Sequence, residues 1–265
     1  MKKSITLFGS ILILMALALG ACAPAAAPEP EAEPVAEEAA PLTVSVATDA
    51  TFPPFETVDE VTKELTGFDI ELMDAVAEKA GFMVEWVNTP FDSVIAGVSE
   101  CQYDMAIAAI TITEERMAAM LFSDPYVDAG QIVVVAKGET AITGKEDLVG
   151  KVVAAQLGTT GEIEAQAIEN VKYKPYDSYD LAMLDLINGQ VDAVIADKPT
   201  ADAFIGQYAE DLMTVGEAFT EEKYGVALCK DQAELQASVN QALAALVDEG
   251  FVDQLIQKWL VTGVE

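Results

Sequence analysis

Arg116 is the single arginine of a 265-residue chain that has no histidine and a formal charge of −31. It stands in Thr111-Ile112-Thr113-Glu114-Glu115-Arg116, just after an apolar run. A guanidinium is a planar fork of donors that grips a carboxylate with two parallel hydrogen bonds and keeps its charge at any ordinary pH. In so acidic a chain this lone fork is a candidate for holding an anionic group; the competing reading is a surface cation beside Glu114 or Glu115. Gly158-Thr159-Thr160-Gly161 is a second candidate, a turn opening a helix at about Glu162. A helix N-terminus offers unsatisfied N–H groups to an anion, although threonine capping an ordinary strand-to-helix turn explains the same residues. Asp197 is the third. It ends an apolar run, where the loops of α/β sheets build sites, and its alternative is to cap the helix that Pro199 would start.

The elements that must position these groups alternate. Leu42–Thr48, Met83–Val87, Met105–Ile110, Ile132–Ala136, Val152–Ala155 and Ala193–Ala196 read as strands. Asp69–Lys79 places Ile70, Met73, Val76 and Ala77 on one helical face and is stopped by Gly81. Asp92–Ser99, Gln232–Glu249 and Val252–Leu260 read as further helices. Strands alternating with helices predict an α/β fold with largely parallel sheets. From Leu42 to Glu265 there is enough chain for one large domain or two of ordinary size.

The N-terminus bears on compartment. Lys2-Lys3 precede an apolar run, Ile5 to Leu19, shorter than the roughly 20 residues that span a bilayer. Leu19-Gly20-Ala21-Cys22 then matches a small-residue cleavage site ending in cysteine. Residues 1–21 read as a signal peptide, with an uncleaved anchor helix as the alternative. Residues 22–41 are almost wholly Ala, Pro and Glu, a composition that cannot bury a core and suits an extended tether. The excess of acid excludes nucleic acid and anionic lipid surfaces as natural partners.

Several stretches together resemble a known family. They are Ala47-Thr48-Asp49-Ala50-Thr51-Phe52-Pro53-Pro54-Phe55-Glu56 with Gly67-Phe68-Asp69; Tyr103 to Arg116 running on to Phe122-Ser123-Asp124-Pro125-Tyr126; Gly158–Gly161; and Asp192–Asp197. In this order and spacing they are similar to the polar amino-acid-binding components of ABC importers. The resemblance implies a two-lobed periplasmic-binding-protein type II fold, with two hinge crossings, that closes over a free L-amino acid. Lobe 1 would comprise 42–125 and 225–265, lobe 2 131–219, and the hinges 126–130 and 220–224. Separately, Leu19-Gly20-Ala21-Cys22 resembles a bacterial lipobox, which implies lipid on Cys22 and an extracytoplasmic, membrane-anchored protein, expected to be a monomer. Its partners would be a membrane permease with its ATPase, and it would need no cofactor.

The site roles follow residue by residue from the same resemblance. Arg116 matches the clamp on the ligand carboxylate, with Thr111 beside it and Thr159-Thr160 opposite. Asp197 matches the acceptor of the ligand ammonium. Phe52 and Phe91 match aromatic positions flanking the ligand's carbon chain, whereas Phe55 and Phe122 belong to the core. Asp49 and Gln156 match positions near the ligand side chain and favour a donor-bearing one: arginine, lysine, histidine or glutamine. Ala108-Ala109 stand where relatives often carry serine or glycine, so no side-chain hydroxyl serves the ammonium there. With two thiols left in an oxidising compartment a disulfide is the expectation, and family topology places Cys101 beside Cys229, at the end of a strand Tyr224–Leu228; two buried free cysteines are the alternative. Cyclohexadienyl and arogenate dehydratases resemble this fold too, but the chain has no histidine for a general base. No cluster of metal ligands has site-like spacing.

Overall fold

The structure is a computed structural model that describes residues 42–261. The expected signal peptide over residues 1–21, Cys22 and the expected tether to residue 41 lie outside the described residues.

Two five-stranded sheets carry the fold. In the first, the order is Phe82–Asn88, Leu42–Thr48, Met105–Ala106, Ala227–Leu228, Leu121–Phe122. The first three are parallel, with Val46 opposite both Trp86 and Met105, and Ala227–Leu228 runs antiparallel to its two neighbours. The second sheet repeats this plan: Lys172–Tyr176, Val152–Gln156 and Ala193–Asp197 are parallel, and Gln131–Ala136 and Leu212–Val215 complete it antiparallel. The sheets are therefore mixed rather than largely parallel. The returning strands that follow each crossover arrive without a helix and pair head-to-tail.

The chain passes between the sheets twice, and the two passages pair with each other. Val127–Ala129 and Glu222–Tyr224 form an antiparallel ribbon, with Glu222 opposite Ala129 and Tyr224 opposite Val127. At Gly130 the passages are so close that a Cβ would lie 2.3 Å from the Thr220 carbonyl oxygen, which only glycine avoids. This is a two-lobed α/β fold with two hinge crossings.

Binary pattern explains the burial. In Val152–Gln156 and Ala193–Asp197 both faces are covered: Val153, Ala155, Ala193 and Ile195 pack into one apolar cluster, and Ala154, Val194 and Ala196 into another. Continuous apolar strands of this kind belong in the middle of a sheet sandwiched by helices. Helix Phe68–Ala80 buries Ile70, Met73, Val76 and Ala77, and Gly81 ends it at φ 78° with its N–H on the Ala77 carbonyl.

Three elements differ from the sequence reading. Met105–Ile110 pairs only at Met105–Ala106; Ile107, Ala108 and Ile110 are buried but leave the ladder. Their apolarity encodes burial rather than pairing, because Ala109 turns at φ 47° to give its N–H to Asp69 Oδ2 at 2.7 Å. The strand Tyr224–Leu228 is broken: Tyr224 belongs to the hinge ribbon and Ala227–Leu228 to the first sheet. Val252–Leu260 is an α-helix over Phe251–Leu255 that widens into a π-helical turn over Ile256–Val261.

Cys101 and Cys229 are joined in a disulfide, with Cα atoms 4.9 Å apart across 128 residues of sequence. Register places them together: Leu228 pairs with Met105, and the Cys229 N–H reaches the Asp104 carbonyl. Closing a loop this long contributes on the order of 4 kcal/mol in the chain-entropy description. We therefore predict that Cys101→Ser/Cys229→Ser lowers the unfolding free energy of the Leu42-to-Glu265 body by about that amount in denaturant titration. Thiol counting on that denatured, unreduced body should find no reactive thiol.

Candidate functional site: a closed cleft between the two sheets

Phe52, Phe91, Ala109, Thr111, Arg116, Thr159, Thr160 and Asp197 line one small cavity. Eight of the ten ligand-binding residues expected from sequence are thus brought together. They come from both sheets. Phe52, Phe91, Ala109, Thr111 and Arg116 follow strands of the first sheet, and Thr159, Thr160 and Asp197 follow or end strands of the second.

Arg116 sits in the short helix Glu114–Ala119, where the Thr113 side chain accepts from the Arg116 N–H. Its guanidinium points inward, not at Glu114 or Glu115. One terminal nitrogen donates to the Thr111 carbonyl at 2.8 Å and the other to the Gly158 carbonyl at 2.9 Å. The Phe91 ring lies beneath it, 5.5 Å from Cζ. Among the described residues Arg116 forms no ion pair. Burial pulls its pKa down from the ordinary value, and the charges of Asp197 and Glu222 oppose that pull. It remains a cation with donors to spare.

Asp197 occupies the N-cap position of helix Lys198–Gln207 but makes no side-chain cap bond. Its Oδ1 instead accepts from the Gln131 amide and the Tyr224 hydroxyl, each at 2.9 Å. Burial raises its pKa to about 7, helped by the charge of Glu222 and opposed by those two hydrogen bonds. Gly158–Gly161 opens the helix Thr160–Gln166, slightly earlier than expected. Thr159 caps it, its hydroxyl accepting from the Glu162 N–H while donating to the Gln156 carbonyl. The capping reading of this turn and its place in the cavity wall both hold.

Asp49 and Gln156 are not in the cavity wall. They face each other across the cleft, with Gln156 Nε2 donating to Asp49 Oδ2 at 2.7 Å. Burial raises the Asp49 pKa, although hydrogen bonds from Thr51 and Gln156 resist it.

Sequence reasoning assigned no role to a ring of buried groups behind the cavity. Asp69 holds the Ala109 N–H and the Tyr126 hydroxyl. Burial takes its pKa to about 7. Glu56 is buried beside it, and neither of its oxygens nor Asp69 Oδ1 has a donor from any other group. A proton on one Glu56 oxygen directed at Asp69 Oδ1 satisfies those two atoms and leaves the other Glu56 oxygen without a donor; burial pushes Glu56 well above the ordinary carboxylate range. Glu222 and Tyr224 lie in the hinge ribbon. Both are buried, although nothing in the run Thr220-Glu221-Glu222-Lys223 marks Glu222 as buried.

Raised acids carry a definite sign. Asp69 and Asp197 take up protons on folding, so their contribution to stability is full below about pH 4 and is lost as pH rises through about 7. We predict that the unliganded protein loses thermal stability from pH 5 to pH 8 and that Asp197→Asn shows a shallower loss.

Comparison with known proteins agrees with this geometry. Residues 44–262 match the family model described as bacterial extracellular solute-binding proteins, family 3. Relatives include a probable histidine-binding protein of Campylobacter jejuni, 32% identical over 219 residues, covering 82% of this chain and 85% of that protein. The lysine/arginine/ornithine-binding periplasmic protein of Escherichia coli is 32% identical over 231 residues, covering 83% and 88%. Among solved structures, an ancestral arginine-binding protein bound to arginine is 42% identical with a TM-score of 0.79, covering 82% of this chain and 97% of that one. The arginine-, lysine-, histidine-binding protein ArtJ of Geobacillus stearothermophilus is 33% identical with a TM-score of 0.78, covering 84% and 97%. With its two lobes, two crossings and a closed cleft between them, this chain belongs to the bacterial extracellular solute-binding proteins, family 3.

Proposed function

We propose that this protein is the extracytoplasmic amino-acid-binding component of an ABC importer. It closes lobe 1 (42–125 and 225–265) on lobe 2 (131–219), about hinges 126–130 and 220–224, over one free L-amino acid. The observation that carries this reading is a single cavity walled by the Arg116 guanidinium and the Asp197 carboxylate. A free amino acid presents one carboxylate and one ammonium, the two charges that this pair complements. Arg116 takes the carboxylate with its remaining donors, and Asp197 takes the ammonium. Phe52 and Phe91 cover the carbon chain.

The side chain is basic or polar: arginine, lysine, histidine or glutamine. A donor at its end would compete for Asp49, which otherwise bonds Gln156 across the cleft. An apolar ligand gains nothing there, and an acidic one would need a second cation where no other arginine exists. The names of the relatives, which bind arginine, lysine or histidine, support this class. A dehydratase on this fold needs a general base, and the chain offers no histidine.

The partner is a membrane permease with its ATPase, reached by a monomer tethered through a lipid on Cys22. Among the described residues no helix is long and apolar enough to cross a membrane.

A thermal-shift screen over the twenty amino acids tests the function: basic or polar ligands raise the melting temperature by mass action, and no response to any amino acid would sink the reading. Arg116→Ala should weaken binding by roughly 3–5 kcal/mol, the scale of breaking a desolvated ion pair, while the unliganded fold survives because a buried cation without a counter-ion has been removed. Mass spectrometry of the mature N-terminus should find lipid on Cys22 and none on Cys22→Ser.

A further inference from the structure

One buried carboxylate takes no part in the function as described. Glu222 lies on the second crossing at 9% exposure. Its Oε2 accepts from the Thr111 hydroxyl at 2.7 Å and the Thr160 hydroxyl at 2.9 Å. Its Oε1 accepts from the Thr220 hydroxyl at 2.9 Å. Thr111 follows the first sheet and Thr160 the second, and both line the cavity. One hinge residue therefore touches a wall residue from each lobe.

A hydroxyl has one proton and two lone pairs. Thr111 and Thr160 each give that proton to Glu222, which leaves only acceptor capacity for the cavity. The Thr160 oxygen already accepts from Gln131 at 3.1 Å and keeps one lone pair, while Thr111 keeps two. With the Asp197 carboxylate, which shares the Gln131 amide with Thr160, these oxygens give the cavity a set of acceptors, and Arg116 supplies donors. We propose that Glu222 is a positioning residue that fixes the Thr111 and Thr160 hydroxyls as acceptors for the α-ammonium of the bound amino acid. This rests on the amino-acid-binding reading above, and it moves both hydroxyls from the ligand's carboxylate to its ammonium. At Thr160 the backbone N–H is the donor left for the carboxylate.

The test compares L-arginine with δ-guanidinovalerate, which is arginine without its α-amino group, by titration calorimetry on the intact Leu42-to-Glu265 body. The readout is the ratio of the two affinities, which a general loss of packing would not change. The parent favours arginine. Glu222→Leu frees both hydroxyl protons to turn into the cavity, and the ratio falls roughly tenfold or more, the scale of a hydrogen bond to a charged group. Glu222→Gln keeps a carbonyl oxygen for the two hydroxyls and restores most of the ratio. Thr111→Val lowers the ratio without touching Glu222, so the proposal stays testable if the leucine variant does not fold. In Thr111→Val/Thr160→Val, adding Glu222→Leu changes the ratio no further. An unchanged ratio in Glu222→Leu or Thr111→Val overturns the proposal, as does a Glu222→Gln protein no better than Glu222→Leu. A parent that binds neither compound overturns the arginine reading itself, and this inference with it.

Discussion

The Arg116 guanidinium is held by carbonyl oxygens from both sides of the cleft, Thr111 at 2.8 Å and Gly158 at 2.9 Å. These dipoles soften its desolvation but do not neutralise it, and at 8% exposure no ion pair does so among the described residues. Across the same cavity, burial and the charge of Glu222 disfavour ionised Asp197. The closed cleft therefore confines a cation and an acid that do not pair with each other. In the proposed binding mode, a zwitterion between them would supply both missing partners at once. Removing one member of a buried charge pair is far more costly than leaving the pair intact, so the ligand stabilises the closed arrangement through contacts that an open one would not make.

Much of the remaining polar structure keeps that confinement in place. Asp69 ties the Ala109 N–H in the cavity wall to the Tyr126 hydroxyl beside the first crossing. Tyr224, at the second crossing, donates to Asp197. The two crossings pair as one ribbon. Wall and hinge are thus joined by direct hydrogen bonds, and the aromatic rings of Phe55, Phe68, Tyr126 and Tyr224 pack around them at centroid distances of 5.2–6.3 Å.

Residues with unusual chemistry or regular patterns were legible in the sequence. A lone arginine in an acidic chain, a Gly-Thr-Thr-Gly turn and an aspartate ending an apolar run all reached the cavity. The alternation of strands and helices gave the fold class, and Gly81 marked a helix end correctly. What failed has a common cause. Met105–Ile110 looked like a strand because burial and pairing both select apolar residues, and only the turn at Ala109 separates them. Glu222 fell within the expected hinge 220–224, but nothing in Glu221-Glu222-Lys223 distinguishes the buried acid from its exposed neighbours. Asp69 stood inside a recognised motif, yet its role depends on Tyr126 and Ala109, 57 and 40 residues away in sequence. Long-range hydrogen bonds leave no local trace.

A crystal structure with L-arginine bound tests the central claim most directly. The ligand carboxylate is expected in a two-point hydrogen bond with Arg116 and the α-ammonium on Asp197, with the Thr111 and Thr160 oxygens accepting from it. A ligand seated elsewhere, or in the reverse orientation with its carboxylate away from Arg116, would contradict it.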